Sequence, residues 1–184
     1  MKTCGRLATD IQRLRNELGH VSDPDARTKI EDEIAQDRQA QNDQGCFNPV
    51  GLSGLVHLQD IGDVPLVNDQ FVGTRGESRR LEGFQIQFDP PFPELTLHYM
   101  AHVQDIGDMP WVDGGEFIGT RGQSRRLEGF AIELTGPAAP SYSVSYMAHL
   151  EGTGDTGFFQ DGQFCGTRGQ SRRVEGMLVH VGLR

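Results

Sequence analysis

Eleven residues recur three times in this chain: GTRGESRRLEG at 73–83, GTRGQSRRLEG at 119–129 and GTRGQSRRVEG at 166–176. A repeated core alone would preserve an apolar pattern and tolerate swaps among residues of similar size. Here the polar residues are kept: three Arg, a Ser, a Thr and a Glu in each copy. The copies recur with a period of about 46 residues. A unit of that size cannot enclose a core alone, so three must share one.

The second copy shows the pattern best. Leu95, Leu97, Tyr99, Ala101 and Val103 alternate with Thr96, His98, Met100, His102 and Gln104, the period of a half-buried strand. Pro110-Trp111-Val112 begins a short strand, Asp113-Gly114-Gly115 makes a turn, and Glu116–Gly119 returns. After the Arg motif, Phe130, Ile132 and Leu134 form a further strand. The third copy repeats this with Tyr142, Val144, Tyr146, Ala148 and Leu150, then Met177, Val179 and Val181. The first has Leu52, Val56 and Leu58, then Phe84, Ile86 and Phe88. PPFP at 90–93 and GPAAP at 136–140 connect the copies rigidly, which bounds the repeats at about 50–91, 95–136 and 142–184. Residues 47–184 are therefore expected to be mainly β: three four-stranded units about a pseudo-threefold axis, each one sheet. A β-prism-like domain is favoured because the outer strands are long and regular; a β-trefoil is the alternative.

Residues 1–46 read differently. Leu7, Ile11, Leu14 and Leu18 follow helical spacing, and Gly19-His20 signals a stop. Ser22-Asp23-Pro24 supplies a cap and a first-turn Pro for a second helix, with Ala26, Ile30 and Ile34 as its stripe and Gly45 as its end. A short loop makes the two helices an antiparallel αα-hairpin, expected to serve oligomerisation or docking. That hairpin brings Cys4 and Cys46 together. A disulfide there would close a loop of about 40 residues and add on the order of 3–4 kcal/mol; two free thiols in a reducing compartment are the alternative. Cys165 aligns with Val72 and Ile118 as a small core residue.

The net charge of −9 argues against nucleic acid, which needs a basic surface. No apolar run approaches the 18 residues of a membrane-spanning helix. Residues 1–20 lack the apolar stretch of an ordinary secretory leader. From Cys46 onward there are ten basic residues, all Arg, and nine belong to the repeated motif. The Arg residues are tied to a local geometry.

Two readings of the motif stand side by side. In the structural one, Glu82, Glu128 and Glu175 lie two residues after Arg80, Arg126 and Arg173, on one strand face, and act as internal staples. In the ligand-binding one, each copy offers a carbohydrate an acceptor, planar donors and a ring: Asp63, Arg75 and Arg79; Asp108, Trp111, Arg121 and Arg125; Asp155, Phe158, Arg168 and Arg172. In the first copy Leu66 stands where the second has Trp111. Three weak sites would give avidity on a multivalent glycan. His57, His102 and His149 recur at one strand position; hydrogen bonding to backbone is the stronger reading, and no ligand set is spaced for zinc. No nucleophile has a base placed by motif. A polar set repeated threefold suits binding or scaffolding, so neither an enzyme nor a cofactor is expected.

The stretch YMAHVQDIGDMPWVDGGEFIGTRGQSRRLEGFAIEL at 99–134 resembles the clostridial hydrophobic W (ChW) repeat, with its HVQ start, its W-V-x-x-G turn and its G-T-x-G-Q-S-x-R-L-E segment. The resemblance covers about three quarters of the chain and excludes the hairpin. Asp63, Asp108 and Asp155 stand where the family usually has a Trp after the first Gly. The resemblance implies a secreted or cell-surface protein that acts in adhesion or carbohydrate binding. The alternatives are a protein-interaction subunit and the receptor-binding component of a toxin.

Overall fold

The computed structural model describes residues 50–184 throughout and, before them, residues 10, 11, 13, 14, 17, 18, 21 and 23–43. The chain divides into two compact units, Met1–Pro49 with Leu183–Arg184, and Val50–Gly182.

In the first unit, helix α1 spans Pro24–Asp43. Asp23 caps it: Oδ1 accepts from the backbone N–H of Asp25 at 2.9 Å and of Ala26 at 3.0 Å. Two otherwise orphaned donors are thereby satisfied, and Pro24 sits where a missing N–H costs nothing. Ile34 is buried with Ile11 and Leu14, and Ile30 and Leu18 pack against them. The full extent of the expected first helix, its stop at Gly19, the Gly45 terminus and the Cys4–Cys46 pairing lie outside the described residues.

The second unit carries the repeats. The first repeat forms β1 Leu52–Leu58, β2 Gly62–Val67, β3 Val72–Gly73 and β4 Leu81–Phe88. The second forms β5 Thr96–Val103, β6 Gly107–Asp108, β7 Val112–Asp113, β8 Ile118–Gly119 and β9 Leu127–Thr135. The third forms β10 Tyr142–Leu150, β11 Gly154–Asp155, β12 Phe159–Gln160, β13 Cys165–Gly166 and β14 Val174–Leu183. They make three pseudo-repeated sheets, each on a pair of long neighbouring strands: β1 with β4, β5 with β9, β10 with β14. Short return strands flank β1, β5 and β10: β2; β6 and β7; β11 and β12.

The remaining strand of each sheet comes from the following repeat. β8 pairs with β4, β13 with β9, and β3 with β14, so the exchange runs round all three repeats. The expectation that each repeat keeps all its strands in one sheet is corrected here. Gly119 explains the departure. Its φ is +109°, and a Cβ on it would lie 2.4 Å from Glu82 O and 2.5 Å from Gly83 Cα. Only glycine lets the chain turn there and approach its neighbour so closely; Gly166 and Gly73 do the same at the other two boundaries.

Strand alternation carries the core as the pattern predicts. Val56, Phe84, Leu97, Ala101, Phe130, Ile132, Val144, Ala148, Met177 and Val179 are all buried in one cluster. Phe84 lies 5.2 Å from Tyr99 and 5.7 Å from Phe130, and Phe130 lies 5.5 Å from Tyr146, ring centre to ring centre. Tyr99 donates its hydroxyl to Glu116 O at 2.5 Å and accepts from the Ile86 N–H of the first repeat at 3.2 Å. By register the first repeat has Gly54 at the Tyr99 position, where a Cβ would meet Gln85 O at 2.1 Å. At the boundary of the first and third repeats, His180 Nδ1 instead lies 2.5 Å from Asp69 Oδ1.

Candidate functional site

The repeated charges meet where one repeat joins the next. Phe71, Phe117 and Phe164 each precede an exchanged strand. Each ring lies on a glycine of the neighbouring sheet: a Cβ would stand 2.4 Å from Phe117 at Gly83, 2.3 Å from Phe164 at Gly129 and 2.2 Å from Phe71 at Gly176. Four residues on, an Arg folds back over its own Phe. Arg75, Arg121 and Arg168 each place the guanidinium carbon 3.5 Å from the ring centre.

Held flat in this way, the guanidinium reaches an Asp of the neighbouring repeat. Arg121 donates from Nε and Nη2 to Asp63 at 3.3 and 3.2 Å. Arg168 donates from Nε to both oxygens of Asp108 at 2.9 and 3.1 Å. Arg75 donates from Nε and Nη2 to Asp155, each at 3.0 Å. His57, His102 and His149 hold the same carboxylates from their own strands, with Nδ1 2.6 Å from Oδ1 in every copy. The Asp acidities are shifted accordingly. The His57 hydrogen bond, and then that of Arg121, pull Asp63 below the usual carboxylate range. At Asp108 the Arg168 hydrogen bond leads. At Asp155 burial pushes up, but Arg75 and His149 together outweigh it.

A second charge pair lies behind the first. Arg80, Arg126 and Arg173 each donate from Nε at 2.8 Å to Glu82, Glu128 and Glu175 two residues on. These three Glu are buried. The same Arg residues reach Gln59 at 2.8 Å, Gln104 at 3.0 Å and Glu151 at 2.8 Å. In the second repeat His102 Nε2 lies 3.8 Å from Glu128 Oε2, so the imidazole stands between two carboxylates. Among the described residues no group of His, Cys, Asp and Glu is arranged to hold a metal ion, and no helix is long and apolar enough to cross a membrane.

The Asp, Arg and ring proposed for one ligand site do not converge within a copy. Arg121 goes to Asp63, while Asp108 of its own repeat goes to Arg168. Trp111 lies by His98, 5.1 Å between ring centres, whereas Asp108 pairs opposite His102; four residues of extended strand put these about 13 Å apart. Arg79 and Arg125 donate to the backbone oxygens of Gln59 and Gln104 at 3.4 and 3.2 Å, and Arg172 to Thr153 Oγ1 at 2.5 Å. Phe158 is exposed. Two expectations need correction. Leu66 does not take the Trp111 position: it pairs opposite Gly54 and so matches Val112 and Phe159, and it is buried. Pro65 takes that position, because β2 pairs with β1 without a break from Asp63 to Val67, whereas the register of the other copies slips by one residue between Asp108 and Val112 and between Asp155 and Phe159. The three His bond to Asp carboxylates rather than to backbone, because the strand pairing sets each Asp directly opposite its His.

Sequence reasoning passed over Phe71, Phe117 and Phe164 and the glycines beneath them. Their signal was present: FVGTR, FIGTR and FCGTR each put an aromatic four residues before the Arg.

A family model described as clostridial hydrophobic W matches residues 57–90, 102–136 and 149–181. Each matched segment begins at a junction His and contains the Asp, Phe, Arg and Gly described above. No curated protein and no solved structure matches the chain.

Proposed function

The chain belongs to the clostridial hydrophobic W family, whose repeats are non-catalytic structural modules, and from that premise we propose a non-enzymatic adhesion scaffold with carbohydrate as its ligand. One observation carries the scaffold half: all three Arg–Asp forks cross a repeat boundary. Groups that fasten one repeat to the next serve the integrity of a prism-like arrangement: Arg75, Arg121 and Arg168 act first as fasteners, and the other six motif Arg residues brace their own repeats. Ligand contact then falls to aromatic edges outside the fasteners, where Trp111 and Phe158 are exposed. Amphipathic rings of this kind suit a sugar, apolar on one face and hydroxylated at its rim.

Residues 1–46 supply self-association in this reading, multiplying weak sites on one surface. A glycan array with the full chain tests the ligand half, with oligosaccharide signals expected; an empty array favours the reading in which the partner is a protein. Light scattering with and without residues 1–46 tests the hairpin. A fall in oligomer number on truncation is expected, and an unchanged number removes its role.

A further inference from the structure

We propose that the central repeat alone carries a carbohydrate subsite, in which a pyranose lies on the open face of Trp111 and its hydroxyls bond Glu133 and His98. This rests on the carbohydrate reading above and narrows it to one place.

Trp111, the chain's single Trp, is 38 % exposed and so offers part of its indole to a ligand. One face of the indole is backed by the His98 ring, 5.1 Å away and tilted by 31°. His98 Nδ1 lies 3.0 Å from Glu133 Oε1 on the adjacent strand, which fixes the imidazole while the His98 side chain remains 30 % exposed. Glu133 is 40 % exposed, with Oε1 at His98 and Oε2 beside Gly162 of the third repeat. An acceptor and a ring nitrogen thus flank a flat apolar surface, the combination a sugar hydroxyl and a sugar C–H face require.

The fold does not need this trio. At the matching positions the first repeat has Pro65, Ser53 and Gln87, and the third has Phe158 and Ser145. Beside it opens a groove of about 320 Å³ lined by Gln87, Phe88, Phe92, Leu95, Thr96 and Gly114. Thr96 is two residues from His98 on the same face of β5 and pairs opposite Thr135, next along from the His98–Glu133 pair. The concavity is within the size range of small-ligand sites and shares β5 with His98, though not the platform residues themselves.

Because Trp111 is the only Trp, its emission reports the site directly. The full chain is titrated with neutral oligosaccharides of hexose and N-acetylhexosamine units, following fluorescence and binding heat. The expected result is one ligand per chain, a change in Trp emission, and an affinity loss of about tenfold or more in both Trp111→Ala and Glu133→Gln, with melting temperatures unchanged. Ile61→Ala, at an exposed apolar side chain of the first repeat, should bind normally. Oligosaccharide binding that survives both substitutions, or a stoichiometry of three, overturns this site but leaves the carbohydrate reading standing. Absence of binding to any oligosaccharide ends both. A response to a trimethyllysine peptide instead of sugar overturns the ligand class, since a lone indole beside a carboxylate also attracts cations.

Discussion

Arg121 of the second repeat lies flat on Phe117 and forks onto Asp63 of the first. Neither partner belongs to the other's repeat, and the same relation joins the third repeat to the second and the first to the third. Side chains in these forks are between 41 and 47 % exposed. Each ion pair alone is therefore a small term, and a stacked cation adds about 0.5–1 kcal/mol at such a site. Their weight comes from threefold repetition and from fixing which strand meets which sheet.

A double-mutant cycle checks the wiring. Arg121→Ala and Asp63→Asn should couple by about 0.5–1 kcal/mol in urea denaturation. Arg121→Ala and Asp108→Asn should add independently, within about 0.3–0.5 kcal/mol. Coupling to Asp108 in place of Asp63 would contradict the cross-boundary exchange.

Gly83→Ala should cost about 1–3 kcal/mol by overpacking, because its Cβ would meet the Phe117 ring at 2.4 Å and Ile118 O at 2.6 Å. Gly122→Ala, with open space around it and φ of +65°, should cost only the strain of a left-handed residue, about 1–2 kcal/mol. The discriminating measurement is the secondary readout: near-ultraviolet dichroism should change in Gly83→Ala and not in Gly122→Ala.

Acid should weaken the junctions. Asp63, Asp108 and Asp155 all titrate below their ordinary value in the folded chain. A depressed folded-state value means their contribution is complete above the unfolded range, about pH 4, and is lost as pH falls through the lower folded values. The urea midpoint of the native chain should therefore fall as the pH drops below about 4. A variant with all three Asp changed to Asn should start lower and show a shallower drop; parallel curves would refute the assignment.

Cys165 should be inert in the folded chain. It is fully buried, and burial pushes its thiol up to about 11, against a smaller opposing contribution from the Thr156 hydroxyl 3.7 Å away. Iodoacetamide at pH 8 should leave the Cys165 peptide unmodified in native protein and modify it fully in denaturant, as read by peptide mass mapping. Rapid native labelling would show that the β13 edge opens.

The motif pairs divide clearly by how legible they were. Arg80 directly precedes β4 and stands two residues before Glu82, so in extended chain their side chains share a face wherever that strand goes. That pairing follows from local chain geometry, as do the buried alternation of Leu97, Tyr99 and Ala101 and the Asp23 cap. Leu66 departs from its sequence alignment because the second copy slips by one residue between Asp108 and Val112 and the first does not, which changes the residue that faces the long strand.

What the sequence determined by itself was therefore everything with a local cause: three units, their strand periods, their shared apolar core, and the Arg–Glu pairs within each repeat. What only the tertiary structure decided was the partner of each remaining charge. Gly119 and its two counterparts take the chain across the boundary to the next sheet. An Arg with three chemically equivalent Asp residues to choose from is assigned by where that crossing delivers it, and periodicity along the chain carries no information about that.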